Sequence, residues 1–397
     1  MLLLHTSDWH LGRSFHREDL LPAQGEFCRW LLQVSVDRNV DVVVVSGDLF
    51  DRAVPPVDAV RLLTKTLSEF ARAHIPVVVI AGNHDSAARL GFNAELAEAA
   101  GTYIRTDADR LGDPVTLLDD HGPVHFYLIP YLDPDLTRQG LGAGRSHVEV
   151  MRAAMHLVHT DRAQRGGRSV VVAHAFVTGG GASDSERDIS VGGINDVPAS
   201  VFDGVDYVAL GHLHGAQQVQ SAEGTVARYC GSPLRYSFSE EHHNKSVTLV
   251  HLDATGAVDA EILSVPQPFE VATLSGRMAD LLADEHLAAA HGQSRVRITV
   301  TDPQRPDRAF DQLRTVFPHL LEVRLEPEGG QALESQDLAR LRAAATPADL
   351  GRAFLDYVTG AASEAEVAIY VAADESARGH DREPALIAVA NAAGGSS

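Results

Sequence analysis

Seven side chains of the kinds that hold divalent cations recur in order along the first 214 positions. They are Asp8 and His10 in "SDWHLG", Asp48 in "SGDLFD", Asn83 in "AGNHDS", His174 in "VAHAF", and His212 and His214 in "LGHLH". Carboxylate, amide and imidazole donors without a thiolate suit manganese, iron or zinc in a hydrolytic site rather than a structural zinc. Seven donors are too many for one catalytic ion that keeps an open position. They suit two ions that share a carboxylate, about 3.5–4 Å apart. Each motif alone carries little weight, because the chain has 20 histidines and a Gly-Asp pair after a strand is commonly a turn. The signal is their joint, ordered occurrence.

The elements that must position these groups are visible as apolar runs. Residues 1–4, 41–45, 75–81, 124–129, 169–173 and 206–210 are continuous stretches rich in Val, Ile and Leu, as in strands covered on both faces. Helical stretches over 27–36 and 57–73 separate the first three runs, the second opening after Pro55-Pro56, where proline is tolerated. Strand-helix alternation predicts an α/β layered domain. Five of the six runs lead directly into a motif, so parallel strands would deliver all the donors to one sheet edge. Gly47, Gly82 and Gly211 each precede a candidate ligand. Glycine there permits a positive φ or a close approach of neighbouring backbone, although a plain tight turn would use it too.

At 397 residues the chain suits two or three domains. The motifs and composition divide it into 1–265, a small βαβ-type module at 266–330, and an alanine-rich, acidic segment at 331–397. In the module, "SRVRITV" and "LLEVRLE" flank a helical stretch over 308–316. In the last segment an amphipathic helix is expected over 347–358. Thr346 would cap it, Pro347 would sit in its first turn, and Leu350, Phe354, Leu355 and Val358 would share one face. The final residues are expected to fray. The glycine-rich polar stretch 179–195 reads as a mobile loop or lid.

Composition also excludes classes. Cys28 and Cys230, far apart and in no CxxC pattern, give neither a disulfide framework nor a zinc knot, which points to a reducing compartment. No stretch approaches the roughly 20 apolar residues of a membrane span, and the N-terminus has no signal-peptide pattern. A cytoplasmic location is expected. A formal net charge of −21 argues against nucleic-acid binding by bulk electrostatics, so a polyanionic substrate would need local cations, metal ions or a partner subunit. No GxxxxGK[ST] motif is present, so ATP hydrolysis is not expected of this chain alone.

"DWHLG", "GDLFD", "GNHDS", "AHAF" and "GHLH" together resemble the motifs of calcineurin-like metallophosphoesterases. "DWHLGR", "SERDI" and "GSPLRYSFSE" narrow the resemblance to the SbcD family of bacterial nuclease subunits. It runs from residue 1 to about residue 236 and continues more weakly to the tail. The resemblance implies a four-layer α/β/β/α sandwich, a small α+β capping domain and a C-terminal helical segment that docks on an ATPase partner, SbcC. It implies two metal ions, typically manganese. Asp8, His10, Asp48 and His214 would hold one, Asp48, Asn83, His174 and His212 the other, with Asp48 bridging. It further implies a homodimer, through helices near the second and third motifs, inside a heterotetramer with SbcC. The implied work is DNA repair, recombination and replication. One position departs from the pattern: archaeal relatives place a second histidine where this chain has Asp51, so a two-histidine clamp does not transfer. Asp51 is expected to cap a turn, with orienting a neighbour as the alternative.

The expected chemistry is hydrolysis of a DNA phosphodiester. The resemblance implies 3′-to-5′ exonuclease action on duplex ends, dependent on ATP through SbcC, and endonuclease action on hairpins and single strands. His84, beside Asn83, is left as the candidate general acid for the leaving oxygen, with a supporting hydrogen bond to a ligand carboxylate as the alternative. Arg13, Arg52, Arg89 and Arg187 lie in or beside the motif loops and are candidate phosphate contacts. Tyr236 and Phe238 read as core packing, with packing against the substrate as the alternative. Two competing functions use the same residues: a phosphoesterase acting on a nucleotide or phosphoprotein, and a non-catalytic scaffold that binds DNA ends.

Overall fold

Successive side chains of a strand point to opposite faces, so an unbroken apolar strand needs a cover on both sides. A computed structural model, which describes residues 1–177, 181, 183–186, 196–221, 224–328, 346–359 and 363–378, shows how that cover is arranged. In chain order the strands are β1 (Leu2–Thr6), β2 (Ser14–Phe15), β3 (Glu18–Asp19), β4 (Val42–Val45), β5 (Val77–Ile80), β6 (Thr102–Arg105), β7 (Val115–Asp119), β8 (Gly122–Ile129) and β9 (Arg168–His174). They continue as β10 (Tyr207–Gly211), β11 (Gln217–Val219), β12 (Val226–Tyr229), β13 (Ser246–Leu252), β14 (Val258–Ser264), β15 (Val271–Gly276), β16 (Arg295–Val300) and β17 (Leu320–Leu325).

Two six-stranded sheets carry the fold, in the orders β14-β13-β1-β4-β5-β6 and β11-β12-β10-β9-β8-β7. Strands β1, β4, β5 and β6 run parallel, as do β8, β9, β10 and β12; antiparallel strands close both edges of the second sheet and one edge of the first, whose other edge is the parallel β6. Alternate residues sort into separate cores. Leu3, Val42, Val44, Val78 and Ile80 of one sheet meet Val124, Phe126, Leu128, Val170, Val172 and Ala209 of the other. On the outer face of the first sheet, Leu4, Val43, Val45, Val77 and Val79 pack with Phe27, Leu31, Leu63 and Phe70 of helices α1 (Leu21–Asp37) and α2 (Val57–Arg72). On the outer face of the second, Tyr127, Ile129, Val171, Ala173 and Leu210 pack with Val150, Met151, Ala154 and Val158 from the helix His147–Arg165. This is the four-layer α/β/β/α sandwich.

A third sheet, β15-β16-β17, is wholly parallel. It keeps its own core of Leu274, Val296, Ile298, Leu313 and Phe317. Met1–Val300 with Pro306–Leu325 forms one compact unit that includes this sheet. Within it, Arg295 pairs with Glu18 at 2.7 Å and the Arg297 guanidinium lies 4.8 Å from the Phe238 ring centre. Thr301–Arg305 and the described residues from Glu326 onward form a second unit. There the helix Pro347–Thr359 starts as its sequence dictates: the Asp349 amide donates to Thr346 Oγ1 at 3.1 Å and the Asp349 carboxylate accepts the Thr346 amide at 3.1 Å. Gly351 lets the Tyr370 ring of the helix Glu364–Arg378 lie against the backbone. Leu350 and Phe354 are exposed, and the Val358 side chain lies outside the described residues. Both cysteines are free and buried. No helix among the described residues is long and apolar enough to cross a membrane.

A buried polar chain crosses between the sheets: His5 Nδ1 meets the Tyr207 hydroxyl at 2.9 Å and its Nε2 meets Ser46 Oγ at 2.9 Å. Burial pushes the His5 imidazole down from 6.5 to about 3. The unfolded chain therefore takes up a proton that the folded one refuses, and stability falls as pH drops from 6.5 toward 3. The slope from this one group is at most about 1.4 kcal/mol per pH unit. His5→Leu should flatten it, measured as the difference between the parental and variant urea midpoints across that window. Phe126, fully buried between the sheets, is the plainest packing test. Phe126→Ala should cost about 3–5 kcal/mol, read from the same urea curves.

Candidate metal centre

The carboxyl ends of β1, β4 and β5 in one sheet and of β9 and β10 in the other emerge at a shared edge, and the loops that follow are tied to one another. The Asp8 amide donates to Gly47 O at 3.0 Å, His10 N to Asp48 O at 2.9 Å and Leu11 N to Leu49 O at 2.8 Å, so the first two motif loops run side by side. Asp85 fastens the third. Its carboxylate accepts the amides of Leu49 (3.1 Å), Phe50 (2.9 Å) and Gly82 (2.9 Å), a role its place in "AGNHDS" did not announce. The three glycines let these loops approach. A Cβ on Gly47, which sits at φ +92°, would strike the His174 ring; one on Gly82 would strike the Asp48 carboxylate; one on Gly211 would strike Ser46 O. Four non-glycine residues of these loops also take positive φ, all of them candidate ligands: Asp8 (53°), His10 (45°), Asp48 (51°) and His212 (113°). Strain of this kind, about 1–3 kcal/mol per residue, persists where the surroundings over-determine the backbone, and it gathers at working sites.

All seven sequence-derived donors come together, all but Asn83 nearly inaccessible to solvent. His10 Nε2 lies 3.1 Å from His214 Nε2 and 3.6 Å from Asp48 Oδ2. His174 Nε2 lies 3.5 Å from Asp48 Oδ2 and 2.8 Å from Asn83 Oδ1, and His212 Nδ1 lies 3.2 Å from Asn83 Oδ1. Asp8 accepts the His212 amide at 3.2 Å, which joins the two sheets. Donor atoms of Asp8, His10 and His214, of Asp8, Asp48 and His174, and of His10, Asp48 and His84 each fall within 4.8 Å of one another. Asp48 stands in two of these groups.

The electrostatics state the problem such a cluster poses. Burial, then the Asp8 and Asp85 carboxylates, push the Asp48 carboxyl well above the usual range. Burial and the neighbouring His214, His84 and Arg13 push the His10 imidazole well below 6.5. Burial and the neighbouring histidines do the same to His212. His174 Nδ1 donates to Ser46 O at 2.8 Å, which leaves its Nε2 lone pair aimed at the Asn83 oxygen. Lone pairs facing lone pairs at about 3 Å repel unless a cation lies among them, and an oxygen-and-imidazole set is the one hard to borderline divalent ions accept. The residues fit divalent metal.

His84 lies against this cluster. Its amide donates to Asp48 Oδ1 at 2.8 Å, its ring centre is 4.6 Å from that of His10, and its Nδ1 meets Asp51 O at 2.7 Å. Asp51 is therefore more than a turn cap: its carboxylate sits 3.8 Å from His10 Nδ1 and 3.5 Å from the Arg13 guanidinium. Arg13 also donates to Ser185 O at 3.1 Å and lies over Tyr236. Arg52 is exposed and 3.7 Å from Asp51, and Arg89 donates to Ala53 O at 3.3 Å, both on the rim rather than at the centre. Arg187 and most of the 179–195 stretch lie outside the described residues. Tyr236 and Phe238 are buried as expected, with Tyr236 edge-on to His10 and His214.

The chain is similar to known proteins. The sequence profile for "Calcineurin-like phosphoesterase" matches residues 1–216. The SbcD subunit of the nuclease SbcCD from Staphylococcus saprophyticus is 29% identical over 324 residues, covering 81% of this chain and 84% of that protein. A dimetal phosphatase from Danio rerio superposes with a TM-score of 0.43 at 14% identity, over 67% of this chain and 98% of that one. The profile spans all five motif loops that meet at this centre, and the chain belongs to the calcineurin-like phosphoesterase family.

Proposed function

We propose that this chain is the nuclease subunit of an SbcCD-type complex, a metal-dependent phosphodiesterase that cuts DNA. The observation that supports the proposal is the convergence, from both sheets, of the seven sequence-derived donors on one cluster, with His84 against it. The name and coverage of the staphylococcal relative support the choice of DNA over a nucleotide or phosphoprotein. Asp8, His10, Asp48 and His214 would hold one cation and Asp48, Asn83, His174 and His212 the second, with Asp48 shared. Manganese fits a set of this chemistry. When bound, such a pair supplies Lewis acidity that activates water and offsets charge on the phosphate oxygens.

The chain's own residues do the rest. With Nδ1 donating to Asp51 O, the His84 ring is held in one orientation and its Nε2 is the nitrogen that exchanges protons. Protonated, it delivers that proton to the departing 3′ oxygen, an otherwise poor leaving group. Among the described residues Arg13, fixed between Asp51, Ser185 and Tyr236, is the cation best placed to meet a flanking phosphate, with Arg52 and Arg89 on the rim; Arg187 is a candidate from its sequence position alone. Local cations of this kind reconcile an anionic substrate with a net charge of −21. The exposed Leu350 and Phe354 of the helix Pro347–Thr359 support docking on the ATPase SbcC. Through SbcC, ATP would govern duplex-end cutting by a dimer of this chain. The setting is cytoplasmic DNA repair, recombination and replication.

Purified protein with Mn2+ is expected to cut hairpin and single-stranded DNA alone, and duplex ends from the 3′ side once SbcC and ATP are added. Hydrolysis restricted to a small chromogenic phosphodiester would defeat the nuclease reading. His84→Ala, with metal content verified by elemental analysis, should cut about 10²–10⁴-fold more slowly. A parental rate in that variant would remove His84 from the chemistry.

A further inference from the structure

Behind His214, on the side away from His10, lies a buried ion pair that the ligand set does not use. Glu240 and Lys245 are joined carboxylate to ammonium and are both buried. Lys245 Nζ also donates to His214 O at 3.0 Å and to Ser232 Oγ at 2.8 Å. Salt-bridged to the Lys245 ammonium, Glu240 is a carboxylate whose two oxygens both serve as acceptors. Between this carboxylate and the imidazole sits Ser185. Its Oγ is 2.6 Å from His214 Nδ1, within hydrogen-bond reach of Glu240 Oε1, and 3.0 Å from Ser183 Oγ. Glu240 Oε1 also accepts from Ser237 Oγ at 3.2 Å and lies 3.4 Å from His214 Nδ1. The residue after Ser185, Glu186, accepts the His214 amide at 2.6 Å.

Proton accounting assigns directions to these bonds. An ionised carboxylate only accepts, so the single Ser185 hydroxyl proton goes to Glu240. The serine oxygen then has only lone pairs for His214, and His214 Nδ1 must carry the proton. Nε2 is left bare, and it faces His10 Nε2 and the centre. We infer that Ser185 and Glu186 are positioning residues that set the tautomer and the seat of His214, relaying the fixed charge of the Glu240–Lys245 pair to one of the two metal subsites. The inference rests on the ligand assignment under Proposed function. A carboxylate acting on a ligand histidine through its second nitrogen is a general device, and its loss typically weakens metal affinity about 10- to 100-fold. Here a serine is interposed, and it comes from a segment remote in sequence from His214.

Two measurements on the full-length chain test this. Without metal, nitrogen NMR of the histidine rings should show His214 protonated at Nδ1 in the parental protein and a mixture of tautomers in Ser185→Ala, with Ser185→Thr restoring the parental state. Calorimetric titration with Mn2+ should show two sites in the parental protein. In Ser185→Ala one of them should be weakened about tenfold or more, with the other unchanged and Ser185→Thr recovering. An Nδ1-protonated His214 in Ser185→Ala, or Mn2+ binding equal to the parental protein, overturns the inference while leaving the ligand assignment standing if His214→Ala still loses one site. A parental protein that binds no Mn2+ overturns both.

Discussion

The constraint on which the molecule depends is the crowding of lone pairs and carboxylates at the seam between two sheets. His10, His174, His212 and His214 present imidazole nitrogens to each other, to Asn83 and to Asp48 at 2.8–3.6 Å, in a place where water does not screen them. Left to itself such an array would spread apart. It is held by features that can be named: glycines that admit no side chain, four of the candidate ligands in left-handed backbone, and Asp85 drawing three amides onto one carboxylate. The packing of two mixed, largely parallel sheets supplies the rigidity, and the site draws on it.

The sandwich also explains how a strongly acidic chain presents a reactive face to an anion. Its basic residues are largely committed elsewhere, as Arg168 is to Asp119 and Arg38 to Glu261. Arg13 is different in kind because its neighbours are an aromatic ring, a backbone carbonyl and the carboxylate that touches His10. A cation in that position senses the state of the centre as well as the charge of whatever approaches it.

Much of this was legible in the sequence. The six apolar runs became strands because covering both faces leaves no polar alternation, and the donors at their ends were placed by chain direction alone. The first helix begins at Leu21 rather than 27, because Pro22, the buried Gln24 and Gly25, which packs toward Leu62, interrupt an apolar period that the tertiary contacts do not need. What could not be read were groups whose role depends on burial. Glu240 and Lys245 stand in "SEEHHNK", which looks like solvated surface, yet they form an inaccessible pair. Ser185 lies in a polar, glycine-rich stretch, where a single hydroxyl carries no periodic signal. Asp51 and Asp85 sit inside recognised motifs, but their tasks are set by which backbone passes nearby, and residue type alone does not record that.

The two sheets contribute unequally to the seam: Asp8, His10, Asp48 and Asn83 come from one, His174, His212 and His214 from the other. An ion seated there is thus a cross-link between layers formed by chain segments remote in sequence. Its binding free energy is also free energy of docking the halves, in the measure RT ln(1 + [L]/Kd). The same atoms that equip the molecule for hydrolysis would make the supply of the ion a determinant of how firmly the sandwich stays closed.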